Sequence, residues 1–220
     1  MIFVNFKTYK EATGARAVDL VRTLLECETE ASIPIVPVVQ VVDARECVKV
    51  SKSTVWVQHI DGVKYGQFTG WTLPEAVAET GIKGTFLNHS ENKKDMADLT
   101  AIVSRCSEVG LKTLIFAGDT DELTQVVSLA PSYVSYEPPE LIASKDTSVA
   151  RAKPEIIADA AKIAKTAGVP LIVGAGVKDS GDVRRSLELG AVGVAVSSAV
   201  VLAANPKDVV LGLAKGFSKN

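Results

Sequence analysis

The chain has 220 residues, of which 47% are hydrophobic and 23% are charged, an ordinary globular composition that can build a substantial core. This length suits one barrel-sized domain or two small ones. The formal net charge of -2 gives no electrostatic reason to expect nucleic acid or an acidic membrane surface as a partner, so an anionic substrate needs local positive groups.

Three cysteines, Cys27, Cys47 and Cys106, share no metal-binding or redox spacing, and all three fall in segments with helical periodicity. An odd and sparse set is typical of a protein in a reducing cytoplasm rather than of a disulfide framework. We therefore expect three buried thiols without a chemical role, in a cytoplasmic protein.

The start of the chain, from Met1 to Lys7, lacks the basic segment and cleavage site of a secretory signal peptide. The longest apolar stretch, residues 192–204, is interrupted by two serines and is too short to span a bilayer. We therefore expect a soluble protein that has no membrane partner.

Short runs of β-branched residues alternate with segments of helical periodicity along the whole chain. Eight such runs predict buried strands, at residues 2–5, 35–41, 55–59, 84–88, 113–117, 133–137, 171–174 and 192–197. Helical periodicity follows the strands, for example at residues 14–28, 95–109, 154–167 and 182–189. Several of these segments end on a glycine, as at Gly110, Gly168 and Gly190, which is the residue that helices favour after their last turn.

Alternating strands and helices indicate an α/β protein with a parallel sheet that helices cover. Eight strands in 220 residues fit a closed (β/α)8 TIM barrel, so we expect residues 1–220 to form a single domain of this architecture. A doubly wound open sheet is the alternative. It is disfavoured because the nearest candidate for a dinucleotide-binding fingerprint, residues 174–179, lacks the third glycine.

Chemistry in such barrels occurs at the carboxyl ends of the strands, and polar residues follow several of the predicted strands. Asn5 and Lys7 follow the first strand, His89 the fourth and Glu137 the sixth. A lysine, a histidine and a glutamate at one mouth form an acid–base set beside a positive charge. Two small-residue loops follow strands seven and eight, where barrels commonly bind phosphate through backbone N–H groups: Gly174, Ala175 and Gly176, then Ser197 and Ser198.

Each of these residues also has a structural interpretation. Lys7 could be a solvated charge, His89 could cap a helix that begins near Ser90, and Glu137 could be a loop carboxylate. The glycines at 174 and 176 could serve only a tight turn. The second histidine, His59, also lies at a strand end, but no carboxylate is an obvious companion, so we expect it to be structural or at an interface. The conjunction of the other residues at one face favours a catalytic site.

The same residues resemble a known family along essentially the whole chain. Residues 5–7 look like the N-x-K start of triosephosphate isomerases, residues 89–91 resemble their H-S-E segment, and residues 136–138 resemble their Y-E-P segment. The length and the Pro-Pro-Glu-Leu sequence at 138–141 are similar to the short archaeal branch. Three motifs in order at strand ends are a specific signal.

The resemblance implies an aldose–ketose isomerase that converts dihydroxyacetone phosphate to glyceraldehyde 3-phosphate in glycolysis and gluconeogenesis, without a metal or organic cofactor. Glu137 would be the base, and neutral His89, at a helix N-terminus, would polarise the carbonyl. Lys7 would stabilise the developing oxyanion and the phosphate. Asn5 would orient the substrate or Lys7.

Two further segments are interpreted through the resemblance. The loop at 138–151 would be a mobile lid, and its tip departs from the family's Gly-Thr-Gly, so Ile142, Ala143 and Ser144 are the expected contacts to phosphate. The segment 64–70, with Phe68 and Thr69, resembles the family's interface loop and predicts a homo-oligomer, either a dimer or a tetramer.

Two rival functions remain open at this point. A different phosphate-binding barrel enzyme, such as an indole-glycerol-phosphate or thiamine-phosphate synthase, would explain the two small-residue loops. A catalytically silent phosphosugar-binding or assembly protein would explain the altered lid.

Overall fold

A computed structural model describes residues 1–51, 54–137, 154–174 and 176–218. Its eight strands form a closed parallel barrel in chain order, which β1 completes by pairing with β8 in the register Ile2↔Val194. The strands are β1 (Ile2–Asn5), β2 (Ile35–Val39), β3 (Trp56–Val57), β4 (Gly84–Leu87), β5 (Lys112–Ala117), β6 (Tyr133–Tyr136), β7 (Leu171–Val173) and β8 (Gly193–Val196). The predicted barrel is confirmed.

Helices lie between the strands and cover the barrel. They are α1 (Ala15–Ala31), α2 (Ala44–Val50), α3 (Pro74–Glu79), α4 (Met96–Glu108), α5 (Thr120–Val127), α6 (Pro154–Thr166), α7 (Ser180–Glu188), α8 (Ser198–Val201) and α9 (Pro206–Ala214). Aspartate side chains cap α4, α5 and α7 by accepting a backbone N–H from the first turn, at Asp95, Asp119 and Asp179. The three predicted terminal glycines all have positive φ, as a left-handed helix end requires.

Several strands are shorter than the apolar runs that predicted them. The second strand ends at Val39, because a short 3-10 turn, Val41–Asp43, begins two residues later. The third strand is reduced to Trp56–Val57. At the third strand burial extends beyond the ladder, since Val55 is also buried, whereas after the second strand Val41 and Val42 are exposed, so an apolar run does not by itself mark either the core or the hydrogen-bonded strand.

Two apolar layers hold the fold together. Alternate strand residues point into the barrel and fill it, while the other set packs against the helices. The inner layer is rich in aromatic rings: Phe3 packs edge-on against Trp56 at 5.1 Å, and Phe86 against Phe116 at 4.9 Å. A filled barrel forces any substrate to bind at the mouth rather than in the interior.

The three cysteine thiols are buried and unbridged, and each lies in a helix, as predicted. Burial raises the pKa of Cys47 and Cys106 to about 12, so these thiols are poor nucleophiles at neutral pH. None of the helices in the described ranges combines the length and apolar character that a bilayer crossing requires.

Candidate active site

A cavity of about 360 Å³ opens at the carboxyl ends of the strands. Its lining includes every predicted site residue of the described ranges, at the end of β1 or in the segments that follow β1, β4, β6, β7 and β8: Asn5, Lys7, His89, Glu137, Gly174, Gly176, Ser197 and Ser198. Ala175 and the lid residues Ile142, Ala143 and Ser144 lie outside the described residues. Residues that are up to 193 positions apart in sequence therefore meet at one mouth.

Lys7 is held by its backbone as well as by its side chain. Its φ is +46°, a left-handed conformation that non-glycine residues seldom adopt. The Asn5 side-chain oxygen accepts the Lys7 N–H at 3.0 Å, and the Gln58 amide donates to the Lys7 carbonyl at 2.8 Å. The Lys7 ammonium donates to Glu91 at 2.8 Å, which fixes its position near the cavity. The Asn5 side chain therefore contacts the backbone of Lys7.

The His89 imidazole has a defined proton position. Its Nδ1 accepts the backbone N–H of Glu91 at 3.2 Å, so the proton of the neutral ring is on Nε2. Burial lowers the pKa of His89 to about 4, which keeps the ring neutral at physiological pH. The ring packs edge-on against Phe116 at 4.9 Å, and Nε2 lies 3.6 Å from Oε2 of Glu137.

The expectation that His89 lies at a helix N-terminus near Ser90 was wrong. Residues 90–92 form a turn, in which the Asn92 N–H bonds the His89 carbonyl at 2.8 Å, and the next helix begins at Met96 with Asp95 as its cap. The low pKa of His89 therefore comes mainly from its removal from water rather than from a helix dipole.

Glu137 directly follows β6 and is only 7% exposed. Its backbone N–H bonds the Ala117 carbonyl at 2.9 Å, which continues the sheet ladder by one residue. Burial raises the pKa of Glu137 to about 8, and the nearby Lys7 charge opposes this shift. A carboxyl group with such a pKa can accept and return a proton near neutral pH.

The structure favours glycine for different reasons at the two described glycine positions after β7. A Cβ on Gly174 would collide with the carboxylate of Glu137, although its backbone conformation is open to any residue. Gly176 has φ of +69°, which favours glycine for conformational reasons. The tight-turn interpretation therefore applies to Gly176, whereas Gly174 leaves space for Glu137.

The loop after β8 lines the same cavity as Glu137. Ser197 precedes α8, and its hydroxyl oxygen is buried with no hydrogen-bond partner among the described residues. Ser198 and Ala199 belong to the first turn of α8, whose N–H groups have no partner within the helix. This part of the mouth offers hydrogen-bond donors to an anion.

His59 belongs to a second cavity of about 390 Å³, which adjoins the first and shares Lys7 and His89 with it. Its Nε2 lies 2.9 Å from the Asp61 carboxylate, a partner that we did not anticipate from the sequence. Asp61 also accepts the backbone N–H of Thr72 at 2.7 Å, and this hydrogen bond joins the two ends of the segment between Asp61 and Thr72. This arrangement fits the expected structural or interface role of His59.

Sequence reasoning missed three polar residues that shape the site. Gln58 anchors the Lys7 backbone, Glu91 bonds both Lys7 and His89, and Asn88 anchors the loop that carries His89. Glu91 is inside the H-S-E motif, so its position could have drawn attention. Among the described residues, no group of three or more His, Cys, Asp or Glu side chains could hold a metal ion.

Comparison with known proteins shows the family of the chain. The family model described as triosephosphate isomerase matches residues 1–213. The triosephosphate isomerase of Methanocaldococcus jannaschii is 35% identical over 217 residues, which cover 98% of this chain and 99% of that protein. The one from Methanopyrus kandleri is 38% identical over 220 residues and covers 98% and 97%, respectively. The chain belongs to the triosephosphate isomerase family and is an isomerase.

Proposed function

We propose that this enzyme interconverts dihydroxyacetone phosphate and D-glyceraldehyde 3-phosphate through an enediolate intermediate, in glycolysis and gluconeogenesis in the cytoplasm. The observation that carries the mechanism is the 3.6 Å separation of His89 Nε2 from Glu137 Oε2 inside one cavity. A proton acceptor and a neutral proton donor are thus close enough to act on adjacent atoms of a small substrate.

Glu137 is the base in this proposal. Its carboxylate removes a proton from the hydroxyl-bearing carbon next to the substrate carbonyl and returns it to the former carbonyl carbon. The hydroxyl proton moves to the former carbonyl oxygen, so that a new carbonyl forms on the first carbon. The electron pair of the broken C–H bond moves toward the carbonyl oxygen, where negative charge develops. His89 donates a hydrogen bond to this oxygen from Nε2, the ring nitrogen that carries the proton when Glu91 occupies Nδ1.

Lys7 supplies the fixed positive charge. Its ammonium is held by Glu91 at the cavity wall, so it is positioned before the substrate arrives. A preorganised charge stabilises a developing oxyanion more than a mobile one because no reorganisation is needed during the reaction. The same charge attracts the phosphate, which compensates for the slightly negative net charge of the chain.

The phosphate is bound by the two loops after β7 and β8. Gly176, Ser197 and Ser198 line the cavity, and their small side chains let backbone N–H groups approach an anion closely. The segment at 138–151 would close over the phosphate, with Ile142, Ala143 and Ser144 as its contacts and Ala175 completing the opposite loop. These last four residues remain predictions from the sequence. The reaction as written uses no metal or organic cofactor.

We also propose a homo-oligomer, a dimer or a tetramer, in which segment 64–70 contacts a second copy. Tyr65, Phe68 and Trp71 are 69%, 43% and 57% exposed, and the last two rings pack edge-on at 6.0 Å. Such an aromatic cluster in water is an interface feature. Thr69, at its tip, would reach the neighbour's catalytic residues through the second cavity.

A coupled assay separates this function from its rivals. Glyceraldehyde 3-phosphate is supplied with NADH and glycerol-phosphate dehydrogenase, so that any dihydroxyacetone phosphate formed consumes NADH. The proposal predicts NADH loss that is proportional to enzyme concentration. An indole-glycerol-phosphate or thiamine-phosphate type of synthase, or a silent phosphosugar-binding protein, would give none.

A further inference from the structure

Asn88 connects the catalytic loop to the neighbouring strand. It follows β4 with φ of +59°, a left-handed conformation that asparagine tolerates, and it is 1% exposed. Its side-chain Nδ2 donates to the Phe116 carbonyl at 2.8 Å, and its Oδ1 accepts the Lys94 N–H at 2.9 Å. Asn88 therefore ties together both ends of the loop that carries His89 and Glu91.

Glu122 completes this arrangement from α5, a different part of the chain. It accepts the second Nδ2 hydrogen of Asn88 at 2.7 Å, across 34 residues of sequence. It also accepts the Gly118 N–H at 2.7 Å and the Lys93 ammonium at 2.6 and 2.8 Å. Lys93 belongs to the His89 loop as well, so this one carboxylate bonds the loop at two points.

The charge of Glu122 is stabilised where it lies. Burial raises the pKa of Glu122, but hydrogen bonds from Lys93, the Gly118 N–H and Asn88 lower it by more, so the net direction is downward. Glu122 therefore stays ionised at neutral pH and accepts four hydrogen bonds, a well-satisfied polar network. Glu137, by contrast, has the raised pKa of a base.

We propose that Glu122 is a positioning residue, which holds the His89 loop in its catalytic conformation through Asn88 and Lys93. Glu122 is not among the residues that line the substrate cavity. Without its carboxylate, the Asn88 amide keeps only the Phe116 carbonyl as acceptor, and Lys93 loses its ion pair. The turn that aims Nε2 of His89 at the substrate then loses its connection to α5. The inference rests on the proposed role of His89.

Two substitutions of Glu122 test the proposal in a graded way. Glu122→Ala removes every acceptor, and kcat should fall by roughly 10- to 100-fold, the usual cost of a small misplacement at a reacting centre. KM should change little, because the phosphate loops are elsewhere. Glu122→Gln keeps one acceptor oxygen for Asn88 or Gly118 but not for both, so its loss of kcat should be smaller.

A spectroscopic measurement reports the position of His89 directly. The chain contains two histidines, so protein with 15N-labelled histidine rings gives two sets of ring signals. The signals of His89 should move in Glu122→Ala because its Nδ1 bond to Glu91 is disturbed, whereas those of His59 should stay in place. Val126→Ala is the matched control: Val126 is fully buried on the same helix, and its apolar side chain makes none of the hydrogen bonds by which Glu122 holds Asn88 and Lys93, so its truncation should lower the melting temperature and leave those bonds in place.

The outcomes distinguish positioning from general stability. The proposal is supported if Glu122→Ala lowers kcat and shifts the His89 signals, while Val126→Ala does neither at a similar melting temperature. It is overturned if Glu122→Ala leaves the His89 signals unchanged, or if Val126→Ala moves them equally. Shifted signals with unchanged kcat would support positioning by Glu122 and contradict the electrophile role of His89 instead.

Discussion

Gly174 and Glu137 share one space: the Glu137 carboxylate lies where a side chain on Gly174 would have to be. The glycine after β7 is therefore part of the machinery that positions the base after β6. Adjacent strands place the two residues side by side, since β6 and β7 pair in register from Val134↔Leu171 to Tyr136↔Val173. A single methyl group at position 174 must displace either the carboxylate or the strand.

Gly174→Ala should therefore lower kcat severely, by about 100-fold or more, since a displacement of this size at a reacting group has such a cost. Gly212→Ala is the matched control. A Cβ on Gly212 meets nothing within 4 Å, and its position inside α9 predicts a gain of roughly 0.5–1 kcal/mol in stability. Kinetics and thermal unfolding of both variants check this. Full activity in Gly174→Ala would show that the carboxylate has another productive position.

The stability of the protein should depend on the ionisation of Glu137. Its pKa is raised from 4.5 to about 8 in the folded state, so the folded protein keeps a proton that the unfolded chain loses. Stability from this group is therefore lost as the pH rises from about 4 toward 8. Glu137→Gln lacks the ionisable group and does not lose this stability. The melting temperature of Glu137→Gln minus that of the wild type should therefore increase from pH 5 to pH 9.

Thermal unfolding across this pH range measures the difference. Glu11→Gln, a change at an exposed carboxylate, serves as the control and should give a nearly constant difference from the wild type. The prediction fails if the curves of wild type and Glu137→Gln run parallel.

The two histidines should differ in their contributions to catalysis. Lys7→Ala and His89→Ala should cripple turnover, because each removes a group that lines the catalytic cavity and stabilises developing charge. His59→Ala should reduce turnover much less, since it removes the contact with Asp61 near the base of segment 64–70. Steady-state kinetics at matched folded fractions compare the three. If His59→Ala were the most damaging, the site assignment would be wrong.

The aromatic segment should control assembly. The double change Phe68→Ser and Trp71→Ser removes two of the three exposed rings in and directly after segment 64–70, and it should shift a dimer or tetramer toward monomer at micromolar concentration. Leu202→Ser, a change at an exposed apolar residue of a different loop, is the control and should leave the assembly unchanged. Light scattering with parallel kinetics measures both. A fully active wild-type monomer would contradict the assembly and the proposed contribution of Thr69.

The barrel could be predicted from the sequence because the apolar periodicity of each strand and helix depends only on nearby residues and on which of its faces is buried. The same local patterns predicted that Lys7, His89 and Glu137 each follow a strand. Because the carboxyl ends of parallel strands meet at one mouth of a barrel, these three residues were expected there together. The contact of Asn88 with Glu122, and that of Gln58 with Lys7, join segments that are far apart in the sequence. Such contacts produce no periodic pattern of residues. Such contacts depend on side-chain geometry that only the folded chain defines.

The wrong helix start near Ser90 has a specific physical origin. Ser90 is a good capping residue, but Asp95 has the same property and precedes the apolar periodicity of α4 more closely. The segment between them is held by Asn88, which accepts the Lys94 N–H. Local preference cannot show which of two capping residues five positions apart begins the helix. Here the buried side chain of Asn88, which lies outside the helix, decides between them.

The most direct test of the central claim, that Glu137 moves the proton, is isomerisation in D2O. Wild type and Glu137→Gln are incubated with dihydroxyacetone phosphate, and proton NMR follows both product formation and deuterium at the carbons that exchange their protons. Wild-type enzyme should form product that carries solvent deuterium. Glu137→Gln should lose both turnover and exchange by roughly two to four decades, the usual worth of a positioned proton transfer, while its circular dichroism remains native. Near-normal turnover and exchange in Glu137→Gln would contradict the assignment of Glu137 as the base.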